Sequence, residues 1–383
     1  MLQRSSLYQR GGTQKQTGRR IDMRVLVLFI LLLLAGMLAL FSASYYTFQD
    51  SGDAYAKVRQ QVYGIALGTV AMAVCSRMDY HFFRKPWVIL TMLAISAVLL
   101  VLVVIPGVGV LMNGSRRWLN IAGLSFQPSE FAKFAMILFM ASSLTNKGKQ
   151  VRKFFSGLVP MLMVPGVMFL LILEQPNLST AMSILIVAFV MIAIAGARTT
   201  HLGVLGVCGA ALGAWYAWSE PYRRERLLSF RDPFAQMSDE GYQLSQSLIA
   251  FGSGGLFGMG LGQGRQKTAY LPYPESDFIF ASIAEDFGLF GCILVVALFV
   301  AFVYAGLRVA LRCPDKFGCL LAAGITAMIG VQAFLNMGVV VGLLPTTGLP
   351  LPFFSAGGTS VSIFMAAVGV LLSISREDEM RVR

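Results

Sequence analysis

Charge is what this 383-residue chain has least of. Asp, Glu, Lys and Arg together make up only 13% of its residues, whereas soluble proteins carry about a quarter. Hydrophobic residues make up 56% of the chain. Apolar runs of about 18 residues or more recur along it, long enough to cross a bilayer. This composition excludes a soluble globular protein and predicts an integral membrane protein.

Histidine and cysteine are scarce as well. The two histidines, His81 and His201, lie far apart and form no H-E-x-x-H motif, so neither a zinc site nor a Ser-His-Asp triad is indicated. The five cysteines have neither zinc nor redox spacing, and we expect reduced packing residues. No Walker A motif and no in-register G-x-G-x-x-G occurs. Carboxylates are the remaining candidates for acid–base chemistry.

The apolar runs predict an all-α membrane protein of about ten transmembrane helices. They lack the period-two alternation of barrel strands. We place them near 24–44, 58–75, 88–106, 128–144, 155–173, 178–196, 201–218, 278–307, 318–342 and 358–375. The eighth is longer than a perpendicular span requires, which predicts tilt or a protruding end.

The positions of Lys and Arg predict the orientation. Ten spans put the basic tail and the other basic clusters on one face, which is then cytoplasmic. Both termini are cytoplasmic in this arrangement, and the loop 219–277 between helices 7 and 8 is extracytoplasmic. The net charge of +12 is explained by topology and anionic lipid, not by nucleic acid. We expect a disordered basic tail at 1–20, one membrane domain at 21–376 and a short tail at 377–383, without a cleavable signal peptide.

The stretch "YPESDFIFASIAEDFG" places four carboxylates at the start of the eighth apolar run. Glu285 and Asp286 lie deep enough in this run to predict polar contacts between helices. Asp277 lies at the junction of the basic loop and the apolar wall. Desolvation there raises the pKa of a carboxyl group and nearby arginines lower it, which is how a general base is tuned.

Three further motifs each allow two interpretations. Glu130 and Lys133 share a helix face, either as an internal ion pair or with Lys133 facing an anionic ligand. In "GSRRWLN", Arg116 and Arg117 either meet lipid headgroups or clamp a phosphate, and Trp118 is a typical interface anchor. The glycine-rich stretch 252–264 follows a predicted short amphipathic surface helix at 242–251. It is either a flexible loop or a backbone contact for a lipid diphosphate.

The chain resembles the SEDS family of peptidoglycan glycosyltransferases, which includes RodA and FtsW. The resemblance rests on motifs in family order: "SRRWLNIAGLSFQPSEFAK", "EQPNLST", "YRRERLLSFRDPF", "GYQLSQSLIAFGSGGLFGMGLGQGRQK", "SDFIFASIAEDFGLFG" and "GLLPTTGLPLPFFSAGGTS". The form "GSGGLFGMGLG" is more similar to FtsW than to RodA.

The resemblance implies that the protein polymerises lipid II, the undecaprenyl-diphosphate-linked disaccharide pentapeptide, on the outer face of the cytoplasmic (inner) membrane. Asp277 matches the essential aspartate of the family. The implied substrate-binding residues are Arg116, Arg117, Trp118, Glu130, Lys133 and Lys267, and the basic loop adds Arg223 and Arg224. The chain departs from the family pattern at three places, with Glu275–Ser276 for His-Thr, Asn177 for Asp and Ala356 for Tyr.

The hypothesis is a glycosyl transfer in which Asp277 is the general base and either basic side chains or a divalent cation (Mg or Mn) assist. No cofactor is required by the sequence itself. Two alternatives stay open: a lipid II flippase, or a non-catalytic scaffold for a class B penicillin-binding protein. That transpeptidase is also the partner that the resemblance implies, together with other division or elongation proteins.

Overall fold

The computed structural model describes residues 21–49, 53–112, 115–121, 124–219, 224–225, 230–235, 241–346 and 348–378. Within these ranges the α-helices are α1 (Met23–Gln49), α2 (Ala56–Arg77), α3 (Pro86–Leu102), α4 (Pro128–Lys147), α5 (Val159–Leu173), α6 (Leu178–Ile194), α7 (Thr199–Trp218), α8 (Tyr242–Gly254), α9 (Ile279–Arg312), α10 (Lys316–Val340) and α11 (Gly358–Asp378). One buried hydrophobic cluster extends from Val25 in α1 to Ile374 in α11.

A helix is present at each of the ten segments predicted as spans, and α8 occupies the predicted short helix of the long loop. Five of the described helices are long and apolar enough to cross a membrane, and two more are apolar but shorter. These features indicate a multi-pass membrane protein. Ten crossings and the predicted orientation stay predictions, as do the membrane-surface position of α8 and the domain limits.

The all-helical prediction was too narrow, because a small antiparallel sheet lies between α3 and α4. Its strands, β1 (Gly109–Met112), β2 (Ser115–Ile121) and β3 (Leu124–Phe126), pair in chain order. The sequence of this segment indicates an ordinary loop, since its strands are too short to give a clear periodic pattern. The sheet positions the "SRRWLN" motif, which forms most of β2.

Helices α2 and α11 pack closely because small residues line their interface. Gly64 lies directly against the backbone of Gly358, and Gly68 lies against Ser362 and Met365. The hydroxyl of Ser362 donates a hydrogen bond to the carbonyl oxygen of Gly64 (2.7 Å). Small residues at this spacing let two membrane helices approach and gain van der Waals contact. This packing brings the N-terminal end of α2 beside the segment that precedes α11.

Helix α9 is broken at Gly288, which has φ 64° and ψ −160°. The glycine-rich stretch after α8 inserts at this break. Four backbone hydrogen bonds join the two segments: Met259 N–H to Glu285 O (2.9 Å), Gly260 N–H to Asp286 O (3.1 Å), Leu289 N–H to Gly255 O (2.9 Å) and Phe290 N–H to Leu256 O (3.2 Å).

The backbone of the glycine-rich stretch is therefore hydrogen-bonded to α9. Both interpretations of this stretch, as a flexible loop and as a contact for a lipid diphosphate, stay predictions. Its backbone satisfies the amide and carbonyl groups that a broken helix would otherwise leave without partners. The break also divides the eighth run into two helical parts at Gly288. The predicted tilt or protruding end of this run stays a prediction.

Candidate active site

A cavity of about 850 Å³ lies where four parts of the chain meet. Its wall includes the N-terminal end of α2, strand β2, the segment 267–277 before α9 and the segment 348–364 that leads into α11. The volume is within the range of ligand pockets, about 300–1,000 Å³. Several charged side chains on this wall make it a polar cavity: Lys57, Arg117, Lys267, Glu275 and Asp277.

Asp277 lies on this wall, two residues before α9 begins. Its backbone carbonyl accepts a hydrogen bond from the side-chain amide of Asn336 in α10 (2.7 Å), which also donates to the carbonyl of Leu349 (2.6 Å). The hydroxyl of Ser276 donates to a carboxylate oxygen of Asp277 (3.1 Å). Gly348 has φ +75°, and a Cβ there would lie 3.1 Å from the other carboxylate oxygen. A glycine thus leaves room beside the predicted general base.

Glu275 is a second carboxylate on the same wall, and it is 2% exposed. Its Oε1 lies 3.9 Å from Nζ of Lys57, and its backbone carbonyl accepts a hydrogen bond from Ala356 (2.8 Å). Burial raises the pKa of the Glu275 carboxyl above its usual value, and the charge of Asp277 acts in the same direction. A backbone hydrogen bond and Lys57 oppose this rise in pKa.

The motif in β2 contributes two of its three predicted residues to the cavity. Arg117 and Trp118 line the wall, whereas Arg116 does not. The guanidinium of Arg117 donates to the carbonyl of Gln175 (3.3 Å) and to that of Pro176. These contacts anchor Arg117 to the turn between α5 and α6 and fix its positive charge at the cavity.

Lys267 is on the wall but is almost fully buried. Its ammonium donates to Ser42 in α1 (2.8 Å) and forms an ion pair with Asp286 in α9. Glu285 accepts hydrogen bonds from the backbone of Gln266 (2.8 Å) and Lys267 (3.2 Å). The prediction of structural polar contacts for Glu285 and Asp286 is confirmed. Both carboxylates hold the segment that contains Lys267 against α9.

The structure places Glu130 and Lys133 in the helix bundle, and neither lines the cavity wall. They form a buried ion pair (2.8 Å), and Lys133 also donates to Gln332 in α10. Gln332 donates in turn to the carbonyl of Pro350 (2.9 Å). Of the two interpretations, the geometry agrees with the internal ion pair. Its hydrogen bonds connect α4 to the segment beside Asp277. Substrate binding by the pair stays an untested prediction.

Two predicted residues of the basic loop are not part of the described cavity. Arg223 lies outside the described residues, and Arg224 is exposed and does not line the wall. Sequence reasoning missed Lys57 and Asn336. Lys57 lies just before a predicted span. Gln332 and Asn336 are polar residues four apart in an apolar helix, and that spacing was a signal that could have identified Asn336.

Metal binding by the chain alone has no support in the described ranges. Among those residues, no group of three or more His, Cys, Asp or Glu side chains is placed to hold an ion. Assistance by a divalent cation (Mg or Mn) stays an untested prediction.

The helices and the polar cavity are those of a multi-pass membrane protein with a candidate active site near one end of α9. A family model described as a cell cycle protein, FTSW_RODA_SPOVE, matches residues 23–380. The chain belongs to this family, which confirms the resemblance to SEDS proteins. Gly255 and Gly260 of the FtsW-like motif form backbone hydrogen bonds at the break in α9.

Curated relatives match over nearly their whole length. Stage V sporulation protein E of Bacillus subtilis is 43% identical over 359 residues, which cover 93% of this chain and 97% of that relative. A protein of Geobacter sp. named probable peptidoglycan glycosyltransferase FtsW is 38% identical, covering 92% of this chain and 96% of the relative.

Solved structures share the fold. A chain from a peptidoglycan synthase complex, solved to explain how polymerization and crosslinking are coordinated, superposes with a TM-score of 0.76 and 27% identity. The match covers 94% of this chain and 98% of that one. The rod shape determining protein RodA of Thermus thermophilus superposes with a TM-score of 0.65 and 25% identity, covering 93% and 97%.

Proposed function

We propose that this protein is a peptidoglycan glycosyltransferase that polymerises lipid II at the outer face of the cytoplasmic membrane. The observation that carries the proposal is the polar cavity in which Asp277 shares a wall with Lys57 and Arg117. A carboxylate beside fixed positive charges suits a reaction in which a hydroxyl loses a proton and a diphosphate leaves. Relatives named as probable peptidoglycan glycosyltransferases support the same activity.

In the proposed reaction, Asp277 accepts the proton of a GlcNAc 4-hydroxyl. The hydroxyl oxygen forms a bond to the anomeric carbon of a second, lipid-linked MurNAc. The bond between that carbon and the diphosphate oxygen breaks, and undecaprenyl diphosphate leaves with the electron pair. A single displacement inverts the anomeric centre, so the growing glycan is β-linked.

The cations of the wall have separate tasks in this proposal. Lys57, whose side chain is 31% exposed, and Arg117 stabilise the negative charge that develops on the leaving diphosphate. Lys267 adds to the positive field from a fixed position, because Asp286 and Ser42 hold its ammonium. Trp118 offers an apolar surface for the lipid or a sugar ring.

The partner in this proposal is a class B penicillin-binding protein, which would crosslink the strands. The fold similarity to a chain of a peptidoglycan synthase complex supports a partner of this kind. Other division or elongation proteins are expected to join the assembly.

Two other functions are tested by the same experiment. Purified protein in vesicles is given labelled lipid II, alone and with a candidate transpeptidase, and both glycan strands and lipid transfer between leaflets are measured. The proposal expects strands from the native chain and none from Asp277→Asn. Lipid transfer without strands would instead indicate a flippase, and unchanged strand synthesis by Asp277→Asn would indicate a scaffold whose partner polymerises.

A further inference from the structure

Glu275 combines two properties that the other buried carboxylates near the cavity do not share. It lines the wall, and its Oε2 is buried without a hydrogen-bond partner among the described residues. Glu285 and Asp286, by contrast, have both carboxylate oxygens hydrogen-bonded. Glu130 also has an unpartnered oxygen, but it does not line the cavity.

No group among the described neighbours of Glu275 donates a hydrogen bond to its Oε2. Nζ of Lys57 is 3.9 Å from Oε1, which is beyond hydrogen-bond distance. The backbone on both sides is fixed, since Ala356 donates to the carbonyl of Glu275 and Ser355 donates to that of Ser276 (2.6 Å). The backbone at Glu275 is therefore fixed, while its carboxylate keeps an unused acceptor. A buried acceptor without a partner destabilises the folded chain.

A ligand that brings hydroxyl or amide hydrogens would satisfy this oxygen. Lipid-linked sugars carry many such donors, and the cavity is large enough for a sugar unit. The raised pKa of the Glu275 carboxyl has burial as its largest cause, which is the cost that such a contact would offset. Asp277 and Lys57 are the charged groups that act on Glu275, and both are on the same wall.

We propose that Glu275 is a substrate-binding residue that accepts a hydrogen bond from a hydroxyl or amide N–H of the lipid-linked sugar through its unpartnered carboxylate oxygen. This inference rests on the proposed function and assigns part of the substrate contact to a named side chain. It separates two neighbouring roles: Asp277 moves the proton, and Glu275 holds the sugar.

The test is Glu275→Gln, which keeps the shape of the side chain. The amide oxygen is expected to stay near Lys57, which places the NH₂ group where the substrate donor would arrive. Two donors then face each other, so KM for lipid II should rise about 10-fold or more while kcat changes much less, since a hydrogen bond to a charged group is lost. The matched control is Glu174→Gln, an exposed carboxylate at the end of α5 that does not line the cavity. It should leave both constants unchanged.

Direct binding separates this inference from the proposed function. Lipid II binding is measured for Asp277→Asn and for Asp277→Asn/Glu275→Gln, so that turnover does not interfere. A dissociation constant about 10-fold larger in the double variant supports the contact, even if the native chain makes no strands. Equal constants overturn the contact, even if the native chain polymerises lipid II. Should Glu275→Gln not fold, Glu275→Asp in the same assay decides, because the shortened carboxylate should also weaken binding.

Discussion

The backbone at Asp277 is fixed by a side chain from another helix. Asn336 in α10 is 2% exposed and donates to the carbonyls of both Asp277 and Leu349, which ties the start of α9 to the segment before α11. General-base catalysis needs the carboxylate at hydrogen-bond distance from the attacking hydroxyl. Asn336 is therefore a positioning residue for Asp277.

Replacing Asn336 by leucine should lower kcat about 100-fold with little change in KM, because a misplacement of about 1 Å at the reacting groups has an effect of that size. Steady-state polymerisation of lipid II measures both constants. Thr326→Val is the control, since this buried α10 hydroxyl donates to the carbonyl of Ala322 in its own helix. A variant that loses substrate affinity but keeps kcat would contradict the positioning role.

The buried carboxyl group of Glu275 should make the stability of the folded protein depend on pH. Its pKa is raised in the folded protein, chiefly by burial, so the folded state binds this proton more tightly than the unfolded state. Stability from this group is present below the unfolded-state pKa and is lost as the pH rises through the folded-state pKa. Glutamine cannot ionise and avoids that loss.

Glu275→Gln should therefore gain thermal stability relative to the native chain as the pH is raised from about 4 to about 7.5, which brackets the usual carboxyl pKa. Unfolding in detergent at several pH values measures the difference between the two proteins. A difference that is constant over this range would show that the ionisation of Glu275 does not affect folding.

At the scale of the element, the break in α9 depends on one glycine. Gly288 has φ 64° and ψ −160°, a conformation that is essentially restricted to glycine. A Cβ at this position would also lie 2.4 Å from the backbone nitrogen of Gly258 and 2.6 Å from the carbonyl of Leu256. The break sets the direction of the acidic half of α9, which begins two residues after Asp277.

Gly288→Ala should destabilise the protein by about 1–3 kcal/mol from backbone strain, and further through the displaced glycine-rich stretch. Thermal unfolding in detergent gives the difference. Gly252→Ala is the matched control, because this helical glycine in α8 has open space around it and should be neutral or slightly stabilising. Equal stability of Gly288→Ala and the native chain would argue against the role of the break.

The elements also show what the sequence could and could not predict. Hydropathy located every long helix, because apolar runs of span length are a strong signal. The sheet of β1 to β3 was missed, since strands of three to seven residues give little periodicity. The break in α9 depends on contacts with a distant stretch of chain, and no local pattern around Gly288 indicates them.

The sequence predicted only part of the candidate site, because contacts between distant parts of the chain leave no local pattern. Asp277 was singled out because it joins the basic loop to an apolar wall and matches the essential aspartate of the family. Its catalytic role stays a prediction. The structural role of Lys267 could not be predicted from the sequence, because its contacts with Asp286 and Ser42 join three separate elements. Asn336 donates a hydrogen bond to a backbone carbonyl, and a sequence motif of side chains does not indicate such a contact.

At the scale of the whole molecule, the proposal requires the cavity to face the outside of the cell. In a cysteine-free background, cysteine is introduced at Glu225 in the long loop or at Lys149 between α4 and α5, both of which are exposed. A membrane-impermeant maleimide applied to intact cells should label position 225 and leave position 149 unlabelled until the cells are opened. The reverse pattern would invert the predicted topology.

In the proposed reaction the carboxylate of Asp277 removes a proton during strand synthesis. General-base catalysis is worth about 10²- to 10⁴-fold in rate. Asp277→Asn keeps the size of the side chain and its place beside Ser276 but cannot accept that proton.

The most direct measurement is the initial rate of lipid II polymerisation by native protein and by Asp277→Asn, with lipid II binding measured on the same preparations. The rate should be at least about 100-fold lower for the variant, with binding retained. A variant that polymerises within a few-fold of the native rate would contradict the role of Asp277 as general base.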